Sequence, residues 1–233
     1  MQIRRSGERG RTLTPWLDSR HTFSFASYHD PAFMGFGDLR VINEDRVKPG
    51  AGFATHAHRD MEILSWVLEG AMEHRDSTGS GGVIRPGDLQ RMSAGTGVTH
   101  SEVNASKSDP LHFLQIWVLP AQSGLEPGYQ QVAFTAANLR NHWHVVASAD
   151  GRDGSVRVQQ DVTLSVVRLD RGRSIEQRLA KKRRGWLQVA HGSIGIDDST
   201  DLDAGDGAAW TAPSRFSITA RDSAELLWFN LDA

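Results

Sequence analysis

Ile63-Leu-Ser-Trp-Val-Leu-Glu-Gly70 is an apolar run of strand length closed by a glycine, and Trp186-Leu-Gln-Val-Ala-His-Gly192 repeats its make-up in the other half of the chain. The first run leads to Pro86-Gly-Asp88 and then to Leu111-His-Phe-Leu-Gln-Ile-Trp117; the second leads to Gly205-Asp206 and then to Glu225-Leu-Leu-Trp-Phe229. A supersecondary unit repeated at similar spacing predicts duplication of one architecture. The order of strand, Gly turn, strand, Gly-Asp turn and further strands is that of a small antiparallel barrel or jelly roll.

Outward from these runs the pattern stays the same. Leu39–Val47, Met61–Leu68, Leu111–Leu119, Val162–Leu169, Trp186–Ala190 and Glu225–Leu231 are short, rich in Val, Ile, Leu and Trp, and broken by Gly, Pro, Asp and Ser. Such runs predict an all-β fold. Ser77–Gly82 and Ile196–Asp203 read as tight turns or loops. One short helix is expected around Ala136–Asn141. With 233 residues, the chain can form two barrels of roughly 100 residues each, both large enough for a core. Gly124-Leu-Glu-Pro-Gly128 reads as the linker, so the expected domains are 1–125 and 126–233, with the barrels meeting near residues 125–145.

Composition narrows the chemistry. The chain has no cysteine, which excludes disulfides, thiolate metal sites and cysteine nucleophiles; any metal must sit on imidazoles and carboxylates. With 26 Lys+Arg against 28 Asp+Glu there is no basic footprint for direct nucleic-acid binding, and Lys181-Lys182-Arg183-Arg184 reads as a solvated turn or an edge guard. The first ten residues carry charges with no apolar segment behind them, so no secretory signal is expected. No window approaches the ~18 consecutive apolar residues of a membrane span. A cytoplasmic protein without a membrane partner is the expectation.

Two stretches carry the chemistry: Pro49-Gly-Ala-Gly-Phe-Ala-Thr-His-Ala-His-Arg-Asp-Met-Glu62 and Met92-Ser-Ala-Gly-Thr-Gly-Val-Thr-His-Ser-Glu102. Side chains at i and i+2 of a strand point to one face, about 6–7 Å apart, so His56 and His58 project together, as do His100 and Glu102. The flexible Gly95-Thr-Gly97 segment can bring the second strand close to the first. Three neutral nitrogens and one anionic oxygen suit one divalent transition metal, with positions left for water, substrate or O2. Imidazole with carboxylate accommodates Fe, Ni, Cu, Co or Zn.

These stretches, together with Trp16-Leu-Asp-Ser-Arg-His-Thr-Phe-Ser-Phe25 and Asp30-Pro-Ala-Phe-Met-Gly-Phe36, resemble the signatures of the pirins, within the bicupin group. The resemblance is specific over roughly residues 10–120 and diffuse beyond. It implies two cupin (jelly-roll) β-barrels, with a metal only in the first, held by His56, His58, His100 and Glu102. For bacterial members it also implies quercetin 2,3-dioxygenase activity, in which a flavonol ring is opened by O2 with loss of carbon monoxide. The family's other members imply an alternative, a metal-dependent protein-interaction partner or transcription co-regulator without a flavonol substrate. A metal-dependent isomerase or hydrolase is a third reading of the same fold.

The wider cupin pattern places a ligand glutamate four residues after the second histidine, where this chain has Glu62. The pirin resemblance assigns the carboxylate to Glu102 and leaves Glu62 as a supporting partner or base. With Fe(II), or with Ni, Cu, Co or Zn in its place, Glu102 or Glu62 is expected to accept the proton of a flavonol hydroxyl. Phe53, Met61 and Trp117 read either as lining of the barrel mouth or as ordinary core. His142-Trp143-His144 has no carboxylate at a suitable distance and reads as packing. His74, His112 and His191 read as hydrogen-bonded or surface residues, and His21 and His29 belong to the N-terminal signature without an assigned task. Counted back from Gly192, the second half has Arg178-Leu-Ala180 where the first has His56 and His58, so the second barrel is expected to lack ligands.

Overall fold

The computed structural model describes residues 1–233. Its strands are β1 (Gln2–Arg4), β2 (Gly10–Leu13), β3 (Leu17–His21), β4 (Leu39–Val47), β5 (Gly52–His58), β6 (Glu62–Glu69), β7 (Met72–Asp76), β8 (Gly81–Ile84), β9 (Asp88–Ser93), β10 (Val98–Asn104), β11 (Leu111–Val118) and β12 (Gly128–Ala133). After the one-turn helix α1 (Ala136–Leu139) come β13 (His144–Ser148), β14 (Val156–Arg157), β15 (Val162–Leu169), β16 (Ser174–Leu179), β17 (Arg183–His191), β18 (Ser193–Ile196), β19 (Thr200–Asp203), β20 (Gly207–Trp210), β21 (Ser214–Ala220) and β22 (Ala224–Asp232). No helix is long and apolar enough to cross a membrane.

The chain divides into two compact units, Gly10–Ala133 with Val156–Gln160, and Met1–Arg9 with Phe134–Ser155 and Asp161–Ala233. The division is less simple than a cut near residue 125. β1 pairs with β20, Ile3 opposite Ala208, which puts the first residues in the second unit. β14 lies with the first, where the Arg91 Nε donates to the Arg157 carbonyl at 3.0 Å and the Arg157 amide donates to the Gln130 Oε1 at 3.0 Å.

In the first unit a large sheet runs β12-β9-β6-β11-β4-β3-β2 and a small one β5-β10-β7-β8. In the second, the large sheet contains β1-β20-β17-β22-β15-β13 and the small one is β16-β21-β18-β19. Strand for strand, β4 to β11 correspond to β15 to β22, in the same chain order and the same spatial order. The two glycines that close the opening runs sit at equivalent turns. Gly70 (φ +80°) lies against the Pro110 carbonyl and Gly192 (φ +77°) against the Ser223 carbonyl, so a Cβ at either would collide with backbone. A positive φ combined with so close an approach selects glycine.

Alternation along each strand sends every second side chain inward. In the first unit Val67, Leu111 and Phe113 of the large sheet meet Met72 and Ile84 of the small one, while Ile63, Met92, Ala94 and Val98 form a second cluster with Met61 and Trp117 against it. In the second unit one continuous core spans both sheets, from Val167, Leu187 and Leu226 to Ile194, Phe216 and Ile218. There Trp210 stacks on Phe216 with ring centroids 4.3 Å apart.

Leu39–Val47 and Val162–Leu169 form strands over the expected residues. The Ile196–Asp203 segment holds the expected tight turn at residues 197–199, but Thr200–Asp203 is strand: β18 and β19 form a hairpin around that turn, Ile194 opposite Leu202. In the basic run, Lys182 takes a left-handed turn (φ 58°) and Arg183 bonds Asp161 at 2.7 Å.

Candidate metal centre

β5 and β10 run antiparallel, with His100 opposite His56 and Val98 opposite His58. His56 and His58 share a face of β5, and the register adds His100 from the neighbouring strand. The ring centroids are 4.7 Å apart for His56 and His58, 4.5 Å for His56 and His100, and 4.9 Å for His58 and His100. One nitrogen from each ring lies within 4.8 Å of the other two.

Hydrogen bonding leaves those nitrogens available. The His56 Nδ1 lies 2.8 Å from the Ala54 carbonyl, which can only accept, so Nδ1 carries the proton and Nε2 is bare. The His58 Nε2 is buried without a hydrogen-bond partner, a costly state for a polar atom unless something binds it. Burial first, and then the neighbouring His56, push the His58 imidazole down to about 4; burial and the surrounding histidines push His100 down to about 3. Both rings are therefore neutral bases near pH 7. This donor set fits a divalent transition metal on imidazole.

Glu102 stands apart from that trio. It forms a second buried group with His74 and His100, with ligand atoms again within 4.8 Å of one another. The Ser65 hydroxyl donates to its Oε1 at 3.2 Å and the Gln115 amide to its Oε2 at 2.6 Å. Burial pushes the carboxyl up to about 7, with the Asp45 charge adding to the rise and the Ser65 and Gln115 bonds opposing it. Asp45 itself is pushed up to about 7 by burial.

The expected role of Glu62 needs correction. Ser65 faces Glu102 across the barrel interior, so Glu62, an odd number of residues away on β6, projects from the opposite face of the sheet. There it accepts from the Gln159 amide at 3.2 Å, beside Ser93 and Arg91. It joins neither donor group. His142 and His144 also fail to converge on a carboxylate: the His142 Nδ1 is engaged with the Arg140 carbonyl and His144 packs on Phe134.

A cavity of about 690 Å³ opens onto the centre, with His56, His58 and Glu102 in its wall beside Phe25, Phe53 and Trp117. Trp117 lies edge-on to His58 (5.0 Å, 82°) and to Phe25 (5.4 Å, 85°), and its buried Nε1–H has no partner. The far wall is polar. Ser19 and His21 of β3 stand opposite Asp45 and Asn43 of β4, and the His21 Nδ1 is 2.8 Å from the Asn43 Oδ1. Phe53 and Trp117 thus line the cavity while also packing against the core clusters, whereas Met61 packs against the core and is absent from the cavity wall.

The Pirin family model matches residues 2–118, and a second model, the quercetinase C-terminal cupin domain, matches residues 145–231. The quercetin 2,3-dioxygenase of Escherichia coli (strain K12) is 44% identical over 98% of this chain and 97% of its own length. This chain belongs to the pirin family. The crystal structure of the bacterial pirin YhhW from Escherichia coli in complex with nickel(II) superposes on this pirin with a TM-score of 0.93 at 43% identity, covering 99% of this chain and 98% of that one. A quercetin 2,3-dioxygenase structure from Acinetobacter baumannii, 19% identical, shares the fold with a TM-score of 0.81, over 100% of this chain and 86% of its own. The two barrels of this pirin are therefore cupins.

The second cupin shows what the first has added. In the first, His56 faces His100 and His74 faces Glu102; at the equivalent places in the second, Gln177 faces Phe216 and Ile196 faces Ile218. Leu179, opposite Ser214, takes the place of His58. These positions lie one residue before the pair reached by counting back from Gly192. His56 precedes Gly70 by 14 positions, and Gln177 precedes Gly192 by 15.

Sequence reading gave His74 and Asp76 no place at the centre, His74 being read only as a hydrogen-bonded or surface residue, and it passed over Ser65, Gln115 and Asp45. For the first two a signal was present, since His74-Arg-Asp76 has the same i, i+2 spacing as the metal pairs.

Proposed function

We propose that this pirin is a metal-dependent dioxygenase that opens the ring of a quercetin-like flavonol with O2 and releases carbon monoxide. One observation carries the reading: a cavity of about 690 Å³ holds the imidazole group, Glu102 and an aromatic wall together. A cavity of several hundred Å³ with a few convergent polar groups is the size class that buries a small aromatic ligand. It favours an enzyme over a metal-dependent protein-interaction partner, which needs no such space. The 44% identity to the Escherichia coli quercetin 2,3-dioxygenase supports the same reading.

In this proposal His56, His58 and His100 hold one divalent metal, with Glu102 as the carboxylate of the set. Fe(II) is the ion of choice, and Ni(II), Cu, Co or Zn are substitutes. When bound, the ion supplies Lewis acidity that lowers the pKa of a flavonol hydroxyl. The residues of the chain do the rest. Glu102 shares the cavity wall with His56 and His58 and is placed to accept that proton, and Ser65 and Gln115 hold its oxygens in place. Phe25, Phe53 and Trp117 exclude water and set the plane of the rings.

The test is anaerobic loading with Fe(II), followed by O2 uptake with quercetin, for wild type beside a His56→Ala, Glu102→Ala double variant. Quercetin-dependent O2 uptake in wild type, lost with the metal in the variant, is the expected result. Stoichiometric metal without O2 uptake sinks the dioxygenase reading, and metal retained in the variant sinks the ligand assignment.

A further inference from the structure

Behind the imidazole trio a buried chain of three side chains runs from His100 into the β7–β8 hairpin. The His100 Nδ1 is 3.4 Å from the His74 Nδ1, and the His74 Nε2 is 3.1 Å from the Asp76 Oδ2. The His74 and Asp76 side chains are 0% and 1% exposed, and Tyr129 stacks on the His74 ring at 5.1 Å. The other oxygen of Asp76 is committed to the hairpin, since its Oδ1 accepts from the Thr78 amide at 2.9 Å, the Thr78 hydroxyl at 2.6 Å and the Ser80 amide at 3.1 Å.

The direction of every proton in this chain follows from one end. An ionised carboxylate can only accept, so the His74 Nε2 carries a proton and the His74 Nδ1 is bare. A bare nitrogen facing the His100 Nδ1 requires that Nδ1 to be the donor. The His100 Nε2 is then bare too, and it faces the bare Nε2 of His56 at 3.1 Å. Two lone pairs at that distance repel unless a cation lies between them.

We propose that Asp76 and His74 are positioning residues that hold His100 in the tautomer whose Nε2 is free for the metal. The relay extends carboxylate–histidine support by a second imidazole. It rests on reading His56, His58 and His100 as ligands. The hairpin supplies the rigidity: Thr78 and Ser80 fix Asp76, Asp76 fixes His74, and His74 fixes His100.

Asp76→Asn tests the relay with almost no change in shape. The asparagine carbonyl takes over the Thr78 and Ser80 bonds, which turns its NH2 group toward the His74 Nε2. That nitrogen must now accept, so the His74 Nδ1 becomes a donor, the His100 Nδ1 becomes an acceptor, and the proton moves to the His100 Nε2. The expected results are Ni(II) binding weaker by roughly 10–100-fold, read by competition with a chromophoric chelator, and inverted tautomers of His74 and His100 in long-range 1H–15N spectra of the metal-free protein. His74→Phe keeps a ring against Tyr129 but removes both nitrogens, and it is expected to weaken Ni(II) binding to a similar degree.

Ni(II) affinity within twofold of wild type in both variants, with the His100 proton still on Nδ1 in Asp76→Asn, overturns the proposal. His56→Ala run alongside separates the two levels. If it loses Ni(II) while Asp76→Asn keeps it, only the relay falls; if it binds Ni(II) like wild type, the metal-centre reading falls and takes the relay with it.

Discussion

His56 and His100 stand opposite one another on adjacent strands, their Nε2 atoms 3.1 Å apart and neither held by a backbone group. Removing one of them removes half of this facing pair. His56→Ala is expected to lower Ni(II) affinity by more than the roughly 10–100-fold typical of losing a supporting partner. The half-buried site should keep the metal-free stability within about 1 kcal/mol. In wild type, Ni(II) at about 100 times its Kd adds about 2.7 kcal/mol to the unfolding free energy, and that increment should vanish in the variant. Chemical denaturation with and without metal reads both quantities.

Glu102 gives a pH dependence whose sign is fixed. Burial raises its folded-state pKa from the ordinary 4.5 to about 7, so the metal-free fold binds the proton more tightly than the unfolded chain does. This contribution is fully present below about pH 4.5 and is lost as pH rises through 7, a change on the order of 3 kcal/mol. Glu102→Gln keeps partners for Ser65 and Gln115 and does not titrate. The difference in stability between the metal-free variant and wild type should therefore grow in the variant's favour from pH 5 to pH 8. Urea unfolding in the presence of a chelator measures it, and a pH-independent difference would falsify the buried-carboxyl account.

Trp117 covers His58 on one side and the cavity on the other. Trp117→Ala opens the pocket without touching a nitrogen donor. We expect KM for quercetin to rise about tenfold, equivalent to about 1.4 kcal/mol, with metal content unchanged. Loss of metal in step with activity would show that Trp117 supports His58 and not the substrate.

The Trp210–Phe216 stack lies in the core of the second cupin. Truncating a buried aromatic leaves a cavity, so Phe216→Ala should cost roughly 3–5 kcal/mol. No donor of the candidate centre lies in that unit, so Ni(II) affinity at temperatures where the variant is folded should match wild type.

The all-β architecture was legible because short stretches rich in Val, Ile, Leu and Trp, such as β6 and β11, recur between Gly, Pro, Asp and Ser breaks, and the repeat was legible because Gly70 and Gly192 close equivalent strands. The β18–β19 hairpin was hidden, since Thr200-Asp-Leu-Asp203 offers a single buried apolar side chain, Leu202. β1 was hidden because a three-residue strand is defined by a partner about two hundred residues away. His56, His58 and His100 could be read from i, i+2 spacing. The separation of Glu102 from them could not, because it depends on the register shift between His100 and Glu102 and on the bonds from Ser65 and Gln115. The orientation of Glu62 follows from strand parity, but only once Ser65 is known to face inward.

The matched strand orders of the two cupins give the chain an internal control. Gln177, Leu179, Phe216 and Ile218 occupy one scaffold where His56, His58, His100 and Glu102 occupy the other, and Leu179, Phe216 and Ile218 lie within 4% of full burial. Where one half has dense hydrocarbon, the other keeps basic nitrogens and a protonatable acid facing a void. Stripped of metal, the first half should unfold before its twin, and the gap between the two transitions would be a direct reading of what a working centre takes from the stability of its own fold.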